Sequence, residues 1–175
     1  MNARILGASA LLLFVFGAAP ALAVAQDRRD VQLADKVSSA ITTYPSFTIF
    51  DDIGGSVENG VVTLTGKVTM PYKKTDVEKR VARIDGVKSV ENRIEVLPVS
   101  INDDELRASI ARAIYRNPSF WNYAMMSNPP IHIVVEHGRV TLTGVVASAV
   151  DKALAQSLAS GFGDFGLTNA LRTEM

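Results

Sequence analysis

Acid–base or metal chemistry requires several titratable groups brought together, and this chain offers few. Cysteine is absent, so thiol nucleophiles, thiolate ligands and disulfides are excluded. The two histidines, His132 and His137, lie close together in the second half of the chain. Strand alternation sets His132 on the face opposite Ile131 and Ile133, while His137 falls in a turn, and both read as solvated surface. A zinc site asks for three or four ligands, and no third candidate lies nearby, so no metal or cofactor is expected. Serine and threonine are plentiful, but a hydroxyl nucleophile needs a base and an orienting acid within reach. The first half of the chain has no histidine at all. Asp51-Asp52 precedes a strand, and Asp103-Asp104-Glu105 suits a helix start. There is neither a phosphate loop nor a dinucleotide fingerprint. The residue types point away from an enzyme and towards binding.

Two stretches could bind. From Lys67 to Arg93 there are eight basic residues against four acidic ones, and Lys73, Arg80 and Arg83 are expected to share a helix face turned away from Val77 and Val81. Such a face could meet an acidic polymer or anionic lipid headgroups, each cation contributing about 1 kcal/mol near a charged membrane, or it could be an ordinary solvated face. The second stretch runs from Asn117 to Val135 without a charged residue and gathers Phe120, Trp121, Tyr123, Met125 and Met126 ahead of Pro129-Pro130. Trp and Tyr favour membrane interfaces, so this segment could insert into lipid. Alternatively, Trp121 folds back to plug the core or the gap between modules.

The elements that must position these residues occur twice. Val57-Glu58-Asn59-Gly60-Val61-Val62-Thr63-Leu64-Thr65-Gly66-Lys67-Val68 reappears as Val135-Glu136-His137-Gly138-Arg139-Val140-Thr141-Leu142-Thr143-Gly144-Val145-Val146, and Pro45-Ser46-Phe47 reappears as Pro118-Ser119-Phe120. Internal repetition of this kind dictates architecture. The second copy carries five extra residues between these anchors. Leu33, Val37 and Ile41, and in the second copy Leu106, Ile110 and Ile114, recur at helical spacing. Asn102 with Glu105 reads as an N-cap, and Pro45 and Pro118 end the helices. Asn59-Gly60 and His137-Gly138 are structural hairpin turns that demand positive φ. Gly66 and Gly144 are expected on the inward face, where a helix approaches closely. A second helix follows, with Val77, Val81 and Ile84 as its buried stripe in the first copy and Leu154 and Leu158 in the second. A last strand spans Val87 to Val96, and in the second copy roughly Gly166 to Thr173. The fold class is therefore α+β: two tandem α-β-β-α-β modules over 29–97 and 102–175, each a three-stranded sheet packed against two helices. The joining linker, Leu97 to Ile101, is short.

The beginning of the chain reads differently. Arg4, the apolar run Ile5 to Ala18, Pro20, and small residues at Ala21, Ala23 and Ala25 follow the plan of a secretory signal peptide over 1–25. Cleavage is expected after Ala25, with Ala23 as the alternative. The run is shorter than the roughly 20 residues needed to cross a bilayer. With 18 basic and 18 acidic residues the chain has no global field to attract nucleic acid.

The repeated hairpin, x-Val-x-(Asn/His)-Gly-x-Val-Thr-Leu-Thr-Gly-x-Val, and the ending Asp85-Gly86-Val87-Lys88-Ser89-Val90-Glu91-Asn92-Arg93-Ile94 resemble the signature of the BON domain family. The first copy resembles it along its whole length. The second does so to about Val146, after which Gly161-Phe162-Gly163-Asp164-Phe165-Gly166 replaces the compact Asp-Gly-Val turn. The resemblance implies a periplasmic accessory protein, and since the chain has no cysteine to carry a lipid, no N-terminal lipid anchor is expected. Its partner would be a membrane surface or anionic phospholipid, and it would support envelope integrity under osmotic stress. A holdase-like chaperone or scaffold touching other envelope proteins through the apolar segment is the alternative.

Overall fold

The computed structural model describes residues 19–162 and 166–174, with side chains from Gln26 onwards. The apolar run expected to direct export, Ile5 to Ala18, lies outside the described residues. The first helix, α1, spans Ala19–Thr42 and so begins upstream of the expected cleavage position. It is followed by β1 (Asp52–Glu58), β2 (Val61–Val68), α2 (Pro71–Ala82), β3 (Ser89–Asn92) and β4 (Glu95–Val96). The second module repeats this order with α3 (Ile101–Tyr115), a 3₁₀ turn at Pro118–Phe120, α4 (Trp121–Ala124), β5 (Ile131–Glu136), β6 (Arg139–Val146), α5 (Ala149–Ser160), β7 (Leu167–Asn169) and β8 (Arg172–Thr173).

In each module two strands form an antiparallel hairpin, and the chain then crosses over through a helix to lie parallel to the second strand. Val62, Leu64 and Val68 face Val37, Ile41, Val77 and Val81 to make the first core. Ile110, Ile114, Phe120, Ile131, Ile133, Leu142 and Leu171 build the second. Both turns have the predicted backbone: φ is 53° at Asn59 and 80° at Gly60, and 51° at His137 and 74° at Gly138.

Several expectations are corrected. The last strand of each module is two short pieces rather than one. Asn92 turns its amide inward to the Lys74 carbonyl (3.0 Å) and Glu78 (2.9 Å), and its carbonyl oxygen accepts from Ile94 N (3.1 Å), so the ladder breaks there. Asn169 does the same, donating to the Lys152 carbonyl and accepting from Leu171 N. The N-cap of α3 is Ser100, whose hydroxyl accepts from Asp103 N at 3.2 Å, and not Asn102. The buried floor of α5 is Ala155 and Ala159, while Leu154 and Leu158 sit at its half-buried margins. Gly66 and Gly144 have φ of 113° and 114°, and a Cβ there would come within 2.0 Å of the Asp52 carbonyl oxygen and 1.9 Å of that of Pro130. They are glycines because of the neighbouring strand, not because of a helix.

Candidate lipid-facing surface

The basic face of α2 does not assemble as expected. Lys73, Val77 and Val81 are spaced by four and so lie on one stripe. Lys73 is accordingly buried, with its Nζ 2.6 Å from Asp51 Oδ2. Asp51 is fully buried and accepts from Thr48 N (2.9 Å), Thr48 Oγ1 (2.8 Å), Thr69 N (2.9 Å) and Thr69 Oγ1 (3.0 Å) as well. Burial alone would raise the carboxyl pKa, but these donors, led by Lys73, outweigh it and hold the group below its ordinary value. Arg80 reaches across to the end of α1, its Nε donating to the Ala40 carbonyl at 2.8 Å and its Nη2 to Thr43 Oγ1 at 3.1 Å. There it satisfies the open carbonyls and negative pole of a helix C-terminus. Of the three cations, Arg83 alone remains exposed without a described partner.

The aromatic segment divides between anchor and display. Phe120 is fully buried and belongs to the second core. Tyr123 stacks on it at 5.8 Å between ring centroids. The Tyr123 hydroxyl donates to Asp151 Oδ2 (3.0 Å) and accepts from Ala147 N (2.7 Å). Trp121, Met125 and Met126 are turned outwards, 66%, 74% and 49% exposed. Trp121 therefore plugs nothing: Phe120 does that work one residue earlier. Exposed Arg112 and Arg116 lead into the segment from the end of α3.

Tyr123 takes the place in the second module that Asp51 holds in the first. Shifted by 78 positions, Asp51, Thr69 and Lys73 become Pro129, Ala147 and Asp151. In the first module Asp51 binds the Thr69 amide and the helix lysine; in the second Tyr123 binds the Ala147 amide and the helix aspartate. The same junction is closed with a helix carboxylate in place of the helix ammonium and a neutral hydroxyl in place of the buried carboxylate. The extra residues of the second module supply the tyrosine and carry the exposed side chains with it.

The BON domain profile matches residues 29–98 and 102–169. The chain belongs to the BON domain family. No curated protein matches it. Among solved structures, CdsD, a structural protein of the type III secretion system of Chlamydia trachomatis, is 13% identical with a TM-score of 0.31, and the match covers 82% of this chain and 92% of that one. The C-terminal domain of CdsD gives 14% identity and a TM-score of 0.30, covering 83% and 98%.

The two BON modules meet through groups that sequence reasoning did not find. Residues 47–51, between α1 and β1, lie along the edge of β5. The Ile49 carbonyl accepts from Ile133 N at 2.7 Å, and His132 Nδ1 is 2.6 Å from the Asp51 carbonyl oxygen. The Phe47 ring lies 5.1 Å from that of His132, and Phe50 packs on the second core. His132 is thus buried in the joint rather than solvated, because the other module covers its strand face. Lys67 pairs with Glu136 across the same joint, which raises the lysine pKa. Each BON module also clamps its own hairpin turn with a helix aspartate. Asp30 accepts from Asn59 N and Gly60 N at 2.7 and 3.1 Å, and Asp103 from His137 N and Gly138 N at 3.0 and 2.8 Å. The two aspartates are equivalent in the helix alignment, which is the one signal that could have revealed them. Among the described residues no cluster of three or more His, Asp or Glu could hold a metal ion, and no helix is long and apolar enough to cross a membrane.

Proposed function

We propose that this protein is an exported, non-enzymatic envelope protein that docks on phospholipid surfaces through its second BON module. In this reading it works in the periplasm and supports the envelope under osmotic stress. One observation carries it: three large apolar side chains, Trp121, Met125 and Met126, project into solvent from a segment without charges whose back is pinned by Phe120 and Tyr123. A rigid platform of this kind loses little conformational freedom on inserting its side chains. Each side chain contributes up to roughly 1.5–3 kcal/mol when fully withdrawn from water. Tryptophan is the side chain best suited to the headgroup boundary. Arg112 and Arg116 add attraction to anionic headgroups beside the apolar patch. The face formed by Lys73 and Arg80 is not part of this surface, since both are committed to the fold.

The single tryptophan makes the test direct. Titrating vesicles of anionic phospholipid into the protein should shift Trp121 emission to the blue, and neutral vesicles should do so more weakly. Trp121→Ala should weaken co-sedimentation with vesicles at any salt concentration while leaving the melting temperature nearly unchanged. Unchanged emission in the presence of anionic vesicles would remove this surface and the proposal with it.

A further inference from the structure

The joint between the modules is half of a repeating contact whose other half is left open. In two-residue hairpins the closing pair exchanges hydrogen bonds and pairs then alternate. With Glu136↔Arg139 as the closing pair, Ile133 and Val135 direct their backbone groups to the outer edge of β5. One group of each is taken there: Ile133 N donates to the Ile49 carbonyl, and the Val135 carbonyl accepts from the buried guanidinium of Arg107. The first module has the same register, with Glu58↔Val61 closing and Gly55 and Val57 facing outwards. Its counterpart of Arg107 is Ala34. Neither Gly55 N nor the Val57 carbonyl has a partner among the described residues. Gly54, Gly55 and Ser56 are exposed. Beside this edge lies a groove of about 380 Å³ floored by Val37, Ile41, Phe47 and Ile53. An open edge next to a groove with an apolar floor is an acceptor for another chain segment.

The second module holds the matching donor. The segment that seals β5 lies between the first helix of its module and the hairpin. The equivalent segment of the second module, 116–130, is five residues longer and displays Trp121, Met125 and Met126 with nothing described covering them. We infer that this segment of one copy seats on the β1 edge and groove of a second copy, repeating between molecules the contact made within one. The segment lacks charge from Asn117 to Val135, so it suits the apolar floor of the groove, and Arg172 and Ser38, beside Thr42 at the groove wall, leave donors for its backbone carbonyls. Because donor and acceptor are different surfaces, the association is head-to-tail and can extend beyond a dimer.

Sedimentation velocity of the purified protein without lipid, up to high micromolar concentration, should show species that grow past the dimer. Ala34→Arg gives the first module the counterpart of the arginine that caps β5 and should weaken association about tenfold, while Trp121 still responds to vesicles. Trp121→Asp, at an exposed position of the second module, should weaken association similarly. Because the native chain has no cysteine, Ser56→Cys and Ser127→Cys proteins can be mixed and oxidised, and the mixed disulfide should exceed either self-pairing. A monomer at every concentration, association indifferent to both substitutions, or preferential self-pairing of Ser56→Cys would each overturn the inference. Anionic vesicles should dissolve the assembly if the segment also meets lipid. Assembly that persists on vesicles with unchanged Trp121 emission would refute the lipid reading alone.

Discussion

Withdrawing a lysine and an aspartate from water together costs several kcal/mol per ion, and only close geometry with additional donors offsets it. Asp51 has those donors in Lys73, Thr48 and Thr69, and through them it ties the segment before β1 to the start of α2. Removing one partner leaves the other charge buried alone, so Lys73→Met should cost about 3–5 kcal/mol in denaturant melts. A surface lysine would cost well under 1 kcal/mol. The folded carboxyl pKa is depressed, so the stabilisation is fully present above the unfolded value of about 4 and is lost as pH falls through it towards the folded value. Acid titration of stability should therefore show a steep limb below about pH 4, and Asp51→Asn should flatten it. The arithmetic that puts Lys73 on the Val77–Val81 stripe is present in the sequence, yet composition argues for an exposed lysine. Nothing local to residue 73 reveals that an aspartate 22 positions earlier folds in beneath it.

Elements were legible where a single local rule governs them. The 3.6-residue stripes of α1 and α3 and the Asn-Gly turn need no knowledge of the rest of the chain. Gly60→Val should cost about 1–3 kcal/mol, because a β-branched residue resists the positive φ held there. Gly66→Ala should cost at least about 3 kcal/mol, since backbone strain is joined by a clash with the Asp52 carbonyl that cannot retreat without breaking the hairpin. Melts in which Gly66→Ala is milder than Gly60→Val would contradict this ordering. Features that depend on a distant partner were not legible. The split of the last strands depends on Asn92 and Asn169 reaching a helix, and the burial of His132 depends on the other module. Phe120 and Trp121 are neighbours in an apolar run, and their opposite fates are decided by the phase of the short 3₁₀ turn and α4.

At the scale of the whole molecule, two small cores share one boundary. A module of about 70 residues is marginal alone, and the joint adds a main-chain hydrogen bond, an aromatic contact and the Lys67–Glu136 pair. Calorimetry should show one cooperative transition. Phe50→Ala with His132→Ala should split it into two by uncoupling the modules. The unlike junctions beneath the second helices have a different consequence. Although the two modules share one plan, α2 and α5 are not interchangeable. Placing α5 in the first module would set the carboxylate of Asp151 against buried Asp51, two like charges in one dry pocket. The reciprocal graft would leave an ammonium facing the hydroxyl of Tyr123 with no carboxylate beneath it. With Asp51, Thr69 and Lys73 answered by Pro129, Ala147 and Asp151, and with Tyr123 added, each helix is keyed to the module that holds it.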